Sequence, residues 1–103
     1  MSSKFITTNK APEEDKILRL DVYIRAAPKT EIEVMKAIRK EFGIKHAISM
    51  EIFENHAEFE INGATEHFNM AITAIVREPD LKKFEERIKN FKNVERITTF
   101  IGR

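Results

Sequence analysis

The run HFNMAITAIV, residues 67–76, decides how the rest of the chain is read. After its first residue it carries no charged side chain, and no other uncharged run in the chain is as long. Met70, Ile72, Ala74 and Val76 fall on one face at a period of two, and Asn69, Ala71, Thr73 and Ile75 on the other. Alternation at that period with small or apolar residues on both sides predicts a central β-strand. The second face is the less apolar of the two. It therefore calls for a cover other than a deep core, such as a partner chain.

Working outward from this strand, the segment before it admits two readings. Ile48, Met50 and Ile52 alternate with Ser49, Glu51 and Phe53, and Ala57, Phe59 and Ile61 alternate with Glu58 and Glu60. Either two short strands form an extra β-hairpin within 47–62, or one long strand carries a bulge near 54–56. Asn55 favours the first. Both readings supply antiparallel pairing to the central strand. Asn62-Gly63 and the residues to Glu66 form the connection, with Gly63 able to take a positive φ.

Further upstream, Leu18, Leu20, Val22, Ile24 and Ala26 alternate with Arg19, Asp21, Tyr23 and Arg25, which predicts a half-buried strand over 17–26. Thr30 and Glu33 have the spacing of a capping box opening a helix. Its apolar stripe is Val34, Met35, Ile38 and Phe42, and Gly43 is placed to end it in a left-handed conformation. Downstream, Pro79 breaks the central strand and Asp80 is the expected cap of a second helix. Leu81, Phe84, Ile88 and Phe91 mark its stripe. A last strand starts at Val94, with Ile97, Thr99 and Ile101 on one face. Two amphipathic helices must cover one side of an antiparallel sheet, so the fold class is α+β, a ferredoxin-like βαββαβ sandwich over residues 17–103. Residues 1–16 are read as a flexible tail whose apolar pair, Phe5-Ile6, is either loosely packed or a short docking arm.

On the sheet face away from the helices, Tyr23, Phe53, Ala71, Ile75 and Phe100 are the expected interface residues, because a monomer would expose them. That predicts a homodimer or a higher homo-oligomer. At 103 residues the chain is sized for one domain. Its eighteen basic and seventeen acidic residues nearly cancel, so no general field attracts nucleic acid or an acidic membrane. The absence of cysteine removes disulfide and thiol chemistry and fits a cytoplasmic location. No run approaches the length of a membrane span.

Signals for chemistry are sparse. No glycine-rich loop precedes a helix, and no Ser–His–acid pattern forms. His46, His56 and His67 flank the uncertain strand region and would be the ligands or acid–base groups of a small enzyme or metal-binding protein, but their spacing matches no metal motif. Solvated polar residues are the plainer reading, and neither a cofactor nor a metal is expected. An RNA-binding module can share this element order, yet Phe53, Phe59 and Phe68 have Glu54, Glu58, Glu60 and Glu66 as neighbours, which opposes a phosphate-binding surface.

The pieces FEING, HFNMAITAIV and EPDLKKFEERIKNFKNVERITTFI, together spanning about residues 58–101, resemble the second half of the effector-binding (RAM, ACT-like) domain of Lrp/AsnC-type transcription regulators. Gly63 matches the family glycine and Phe68 the aromatic position, while Asn69 stands where the family has Asp. Asn93-Val94-Glu95-Arg96 is similar to the motif that opens the last strand, with Asn93 in place of glycine. The segment 44–62 is longer than the family pattern, and 63–68 is a wider connection. The resemblance implies dimers joined through their sheets and an amino acid or related small molecule bound near a subunit interface. Gly63, Phe68 and Asn69 would then border the effector site. The family's helix-turn-helix has no counterpart in the tail, which points away from direct DNA binding. A ligand-sensing or protein-interaction domain, more plausibly not an enzyme, is the leading expectation, with a structural adaptor as a further alternative.

Overall fold

The computed structural model describes residues 16–102, and of residues 44–48 the backbone alone. The tail reading and its Phe5-Ile6 pair lie outside the described residues. The element order is β1 (Ile17–Ala26), α1 (Glu31–His46), β2 (Ala47–Ile61), β3 (Ala64–Arg77), a 3-10 turn (Glu78–Asp80), α2 (Leu81–Lys89) and β4 (Val94–Gly102). The four strands form one antiparallel sheet in the order β2-β3-β1-β4, with both helices on one face. This is the ferredoxin-like arrangement that the alternating segments call for.

β3 is central, as its two-sided pattern demands. Its Met70, Ile72, Ala74 and Val76 pack with Leu20, Val22, Ile24 and Ala26 of β1 beneath Val34 and Ile38 of α1 and Phe84 and Ile88 of α2. The two stripes of period two face two stripes of helical period, and the core closes between them. Met35, Phe42, Leu81, Phe91 and Ile97 flank this core, half-buried. Ile101 is expected on the core face but is 55% exposed, because β4 is an edge strand.

Between the two readings of 44–62, the structure has one long β2 with an irregularity. Pairing with β3 runs from Ala47 to Ile52 with a register shift between Ala47 and Ser49, skips 53–56, and resumes from Ala57 to Ile61. The turn lies later, at Asn62-Gly63. Ile61 pairs directly with Ala64, and the two residues between them have φ of 52° and 83°. Two successive positive φ values in a two-residue loop are the signature of a type I′ hairpin, for which Asn-Gly is the favoured pair. β3 therefore begins at Ala64 rather than at His67.

The local caps differ from expectation. The Thr30 hydroxyl donates to the Ala27 carbonyl (2.6 Å), and no capping-box bond from Glu33 is present among the described residues. Asp80 makes no cap bond to α2, and its carboxylate instead accepts from Arg77 Nε at 3.0 Å. α1 is interrupted at Gly43, as expected, but with φ 65° and ψ −168° rather than left-handed helical angles. That region of backbone space is essentially reserved for glycine. Asn93 has φ 73°, and asparagine is among the side chains that tolerate this left-handed region.

Candidate interaction site on the open sheet face

The face of the sheet without helices carries Tyr23 at its centre. Around it lie Phe53 (ring centroids 6.0 Å apart), Phe59 (4.6 Å), Phe68 (6.3 Å) and Phe100 (5.8 Å). Phe59 and Phe100 also meet, at 5.1 Å. This last contact fixes the shape. Phe59 lies on β2 and Phe100 on β4, which stand at opposite edges of the sheet, three strand spacings of about 4.8 Å apart. The rings can touch only if the outer part of the β2–β3 hairpin folds over the open face and crosses above Tyr23.

Two irregularities make that fold-over. On β2, residues 53–56 have no partner in the ladder. Opposite them on β3, Phe68, Asn69 and Met70 are all buried in succession, so the strict alternation breaks. Met70 stays on the helix side, whereas Phe68 joins Tyr23 and Phe59. A bulge bends the strand and re-aims the side chains beyond it. Charges fasten the folded arm. Glu66 Oε1 lies 3.5 Å from an Arg25 guanidinium nitrogen and 3.2 Å from Arg96 Nε, and Arg25 Nε lies 3.4 Å from Glu95. Glu66 is only 17% exposed, so this three-way contact is less screened than an ordinary surface pair.

Asn69 holds the bend. Its Oδ1 accepts from Ala26 N–H at 2.9 Å, and its Nδ2 donates to Ala26 O and to Glu31 Oε2, each at 3.0 Å. The amide side chain stands in for a strand partner at the end of β1, where the backbone of β3 has swung away. It also ties in the first residue of α1. Both hydrogens of the amide are engaged, which fixes the orientation of the group.

Of the residues expected at an effector site, Gly63 lies exposed at the hairpin tip, while Phe68 and Asn69 lie buried at the bend. Asn69 and Phe68 are neighbours, and Gly63 is separated from them by the length of the arm. Of the expected interface set, Tyr23, Phe53 and Ala71 are half-buried on the open face, and Ile75 (39%) and Phe100 (42%) are exposed. Sequence reasoning did not assign Phe59, Glu66, Arg25 or Arg96 to this face as one constellation. The available signal was Asn62-Gly63: a two-residue turn fixes the register Phe59–Glu66 and Ala57–Phe68.

His56 and His67, the histidines whose side chains are described, form no metal centre with other described residues. The rings of His56 and His67 are 6.4 Å apart, and His67 Nδ1 lies 3.5 Å from Glu58 on the outer side of the arm. The side chain of His46 lies outside the described residues. No group of three or more His, Cys, Asp or Glu side chains able to hold a metal ion occurs among the described residues. Two cations beside the aromatic cluster, Arg25 and Arg96, are engaged by Glu66 and Glu95. Among the described residues no helix is long and apolar enough to cross a membrane.

A separate groove of about 460 Å³ opens at the other end of the sheet, where β3 runs past the start of β2. Ile17, Phe42, Val76 and Phe84 form apolar walls, and Arg77, Lys83 and Arg87 supply cations. Arg87 pairs with Glu41, and its guanidinium carbon lies 5.6 Å from the centre of the Phe42 ring.

No family model matches the chain, and the search of curated proteins likewise finds no match. The likeness to the Lrp/AsnC effector domain rests on the residues quoted for it.

Proposed function

We propose that this chain is a non-enzymatic, self-associating interaction domain in which the open sheet face of one copy packs on that of another. The observation that carries this reading is the partial cover of that face. The hairpin arm shields the middle, yet Phe100 and Ile75 stay exposed in the same layer as half-buried Tyr23 and Ala71. Phe100 and Ile75 are already more than half covered, so burying the remainder of each contributes less than half of the roughly 1.5–3 kcal/mol for full burial of a large apolar side chain. A two-fold arrangement uses each such residue twice, once from either copy.

In the regulator-like form of this reading, an amino acid or related small molecule binds near the subunit contact and shifts assembly. Support comes from the resemblance carried by Gly63, Phe68 and Asn69. Gly63 is approachable through its backbone. Direct contact with the Asn69 amide would require a ligand to replace Ala26 and Glu31 as its partners.

Sedimentation velocity over a dilution series tests the proposal. The unaltered chain is expected to show a concentration-dependent mass above the monomer. Phe100→Glu should shift the distribution to monomer, while Ile32→Glu, on the exposed side of α1, should leave it unchanged. A monomer at every concentration, or equal effects of the two substitutions, would overturn it. Repeating the series with a panel of free amino acids tests the effector arm: an unchanged distribution with every one counts against it.

A further inference from the structure

We propose that the outer edge of β4 is a pairing edge whose occupant is β4 of a second copy, run antiparallel so that the two sheets become one. Two neighbouring residues carry the inference. Phe100 lies opposite Asp21 on the open face and Ile101 opposite buried Leu20 on the helix face, so the two side chains point to opposite sides of the sheet. Phe100 is 42% exposed and Ile101 55%. A partner laid on the open face covers the first and leaves the second in water. A strand added beside β4 covers both, because its own side chains stand on both faces. This contact is distinct from the face-to-face packing proposed above and does not depend on it.

The two edges of the sheet are built differently. β2 is interrupted at 53–56 and carries Glu51, Glu54, Glu58 and Glu60. Irregularity and charge are means by which proteins keep an edge from pairing. β4 has neither over Ile97–Gly102, which contains no charged residue and no proline. Its ladder with β1 is regular from Arg96 to Gly102, so an even row of backbone donors and acceptors faces outward. The stretch is also complementary to itself. Pairing about a two-fold axis at Thr99 sets Ile101 of each copy opposite Ile97 of the other, and Phe100 opposite Thr98. Arg96 meets Gly102, so no like charges face each other. The Thr99 hydroxyl is buried without a hydrogen-bond partner among the described residues. At the axis it stands beside the same hydroxyl of the second copy, and a turn about χ1 joins the two. Closure about the axis leaves only β2 edges free, so growth stops at two copies.

Every second amide of β4 points away from β1, and hydrogen exchange at these amides is the direct test. In the unaltered full chain the outward amides between Ile97 and Ile101 should exchange at least about tenfold more slowly in concentrated than in dilute protein. Ile101→Lys, a change at an exposed position on the helix side, should abolish that concentration dependence. Thr99→Cys, in a chain with no other cysteine, should oxidise to a covalent dimer, because Cα atoms directly opposite one another lie about 4.5–5.5 Å apart, within the reach of a disulfide. Outward amides that exchange at the same rate at both concentrations would overturn the proposal. So would a dimer that Phe100→Glu dissociates and Ile101→Lys does not, the result expected of face packing alone. Slowed exchange that is lost in Ile101→Lys sustains the edge pairing even where the face-packing reading fails.

Discussion

Asn69→Asp changes one atom of the side chain and tests the reasoning about the bend. The amide nitrogen donates to Ala26 O and Glu31 Oε2, each at 3.0 Å. A carboxylate oxygen in its place donates to neither and sets a second negative charge against the Glu31 carboxylate. Loss of two donated bonds in a buried setting costs about 2 kcal/mol. The uncompensated charge adds about 2 kcal/mol, below the usual range for a fully buried pair because Glu31 is half-exposed. A total near 4 kcal/mol is a large share of the roughly 5–15 kcal/mol that holds a domain together. It should lower Tm by roughly 20 °C. Asn69→Ala removes all three bonds without adding charge and should cost about 2–3 kcal/mol.

The two variants separate most clearly by pH. Burial and the neighbouring acid raise the folded-state pKa of the introduced carboxyl above its unfolded value of about 3.9. The folded state then binds the proton more tightly than the unfolded state. The charge penalty is absent below the unfolded value and grows as pH rises through the folded one. Chemical denaturation of Asn69→Asp, measured relative to the unaltered chain, should show recovery at about pH 4 compared with about pH 7. Asn69→Ala should show no such recovery. Glu31→Gln in the Asn69→Asp background should return about 1–2 kcal/mol at neutral pH, because its amide can donate to the new carboxylate. Equal losses for Asp and Ala at neutral pH, with no recovery in acid, would refute the assignment of Asn69 to Glu31 and Ala26.

Two further substitutions probe backbone and cluster. Gly43 and Gly63 both have open space where a Cβ would stand, so alanine there tests φ and ψ alone. Gly43→Ala should cost about 1–3 kcal/mol and Gly63→Ala about 1 kcal/mol by denaturant titration, since the former needs the rarer backbone region. Tyr23→Ala should cost about 3 kcal/mol, near the lower end for a buried aromatic because the ring is half-buried. Tyr23→Phe keeps the four ring contacts and should stay within about 0.5 kcal/mol.

The strands β1 and β3 and both helices are legible because each carries its period over enough residues to leave one face apolar. The change of parity on β2 is legible too. Met50 and Ile52 are even, and Ala57, Phe59 and Ile61 are odd, so something intervenes at 53–56. Whether it is a turn or a bulge depends on what β3 presents opposite, and no local residue carries that information. On β3 the signal is misleading. Phe68 and Met70 have the same parity, so a period of two puts them on one face. The structure divides them, because Asn69 turns to the backbone of Ala26 and Phe68 finds a ring cluster on the other side. A partner forty-three residues away decides the direction of that side chain. Of the acids beside the middle phenylalanines, Glu66 meets Arg25 and Arg96, and Glu58 lies 3.5 Å from His67.

The two irregularities also decide what kind of contact the domain can make. A flat four-stranded sheet with helices on one side leaves its whole second face to a partner. Here the unpaired residues 53–56 and the break at Phe68-Asn69 lie across from one another and act as one corner. Beyond it the arm returns over Tyr23, and Glu66 fastens it to the ends of β1 and β4. The chain thus supplies from its own sequence much of the cover that a partner would otherwise give. In the self-association proposed above, a second copy would meet the part of the face marked by exposed Phe100 rather than the full face. On that proposal, a contact of reduced extent favours association that reverses on dilution. Asn69 therefore sits at the position from which the amount of exposed sheet is set.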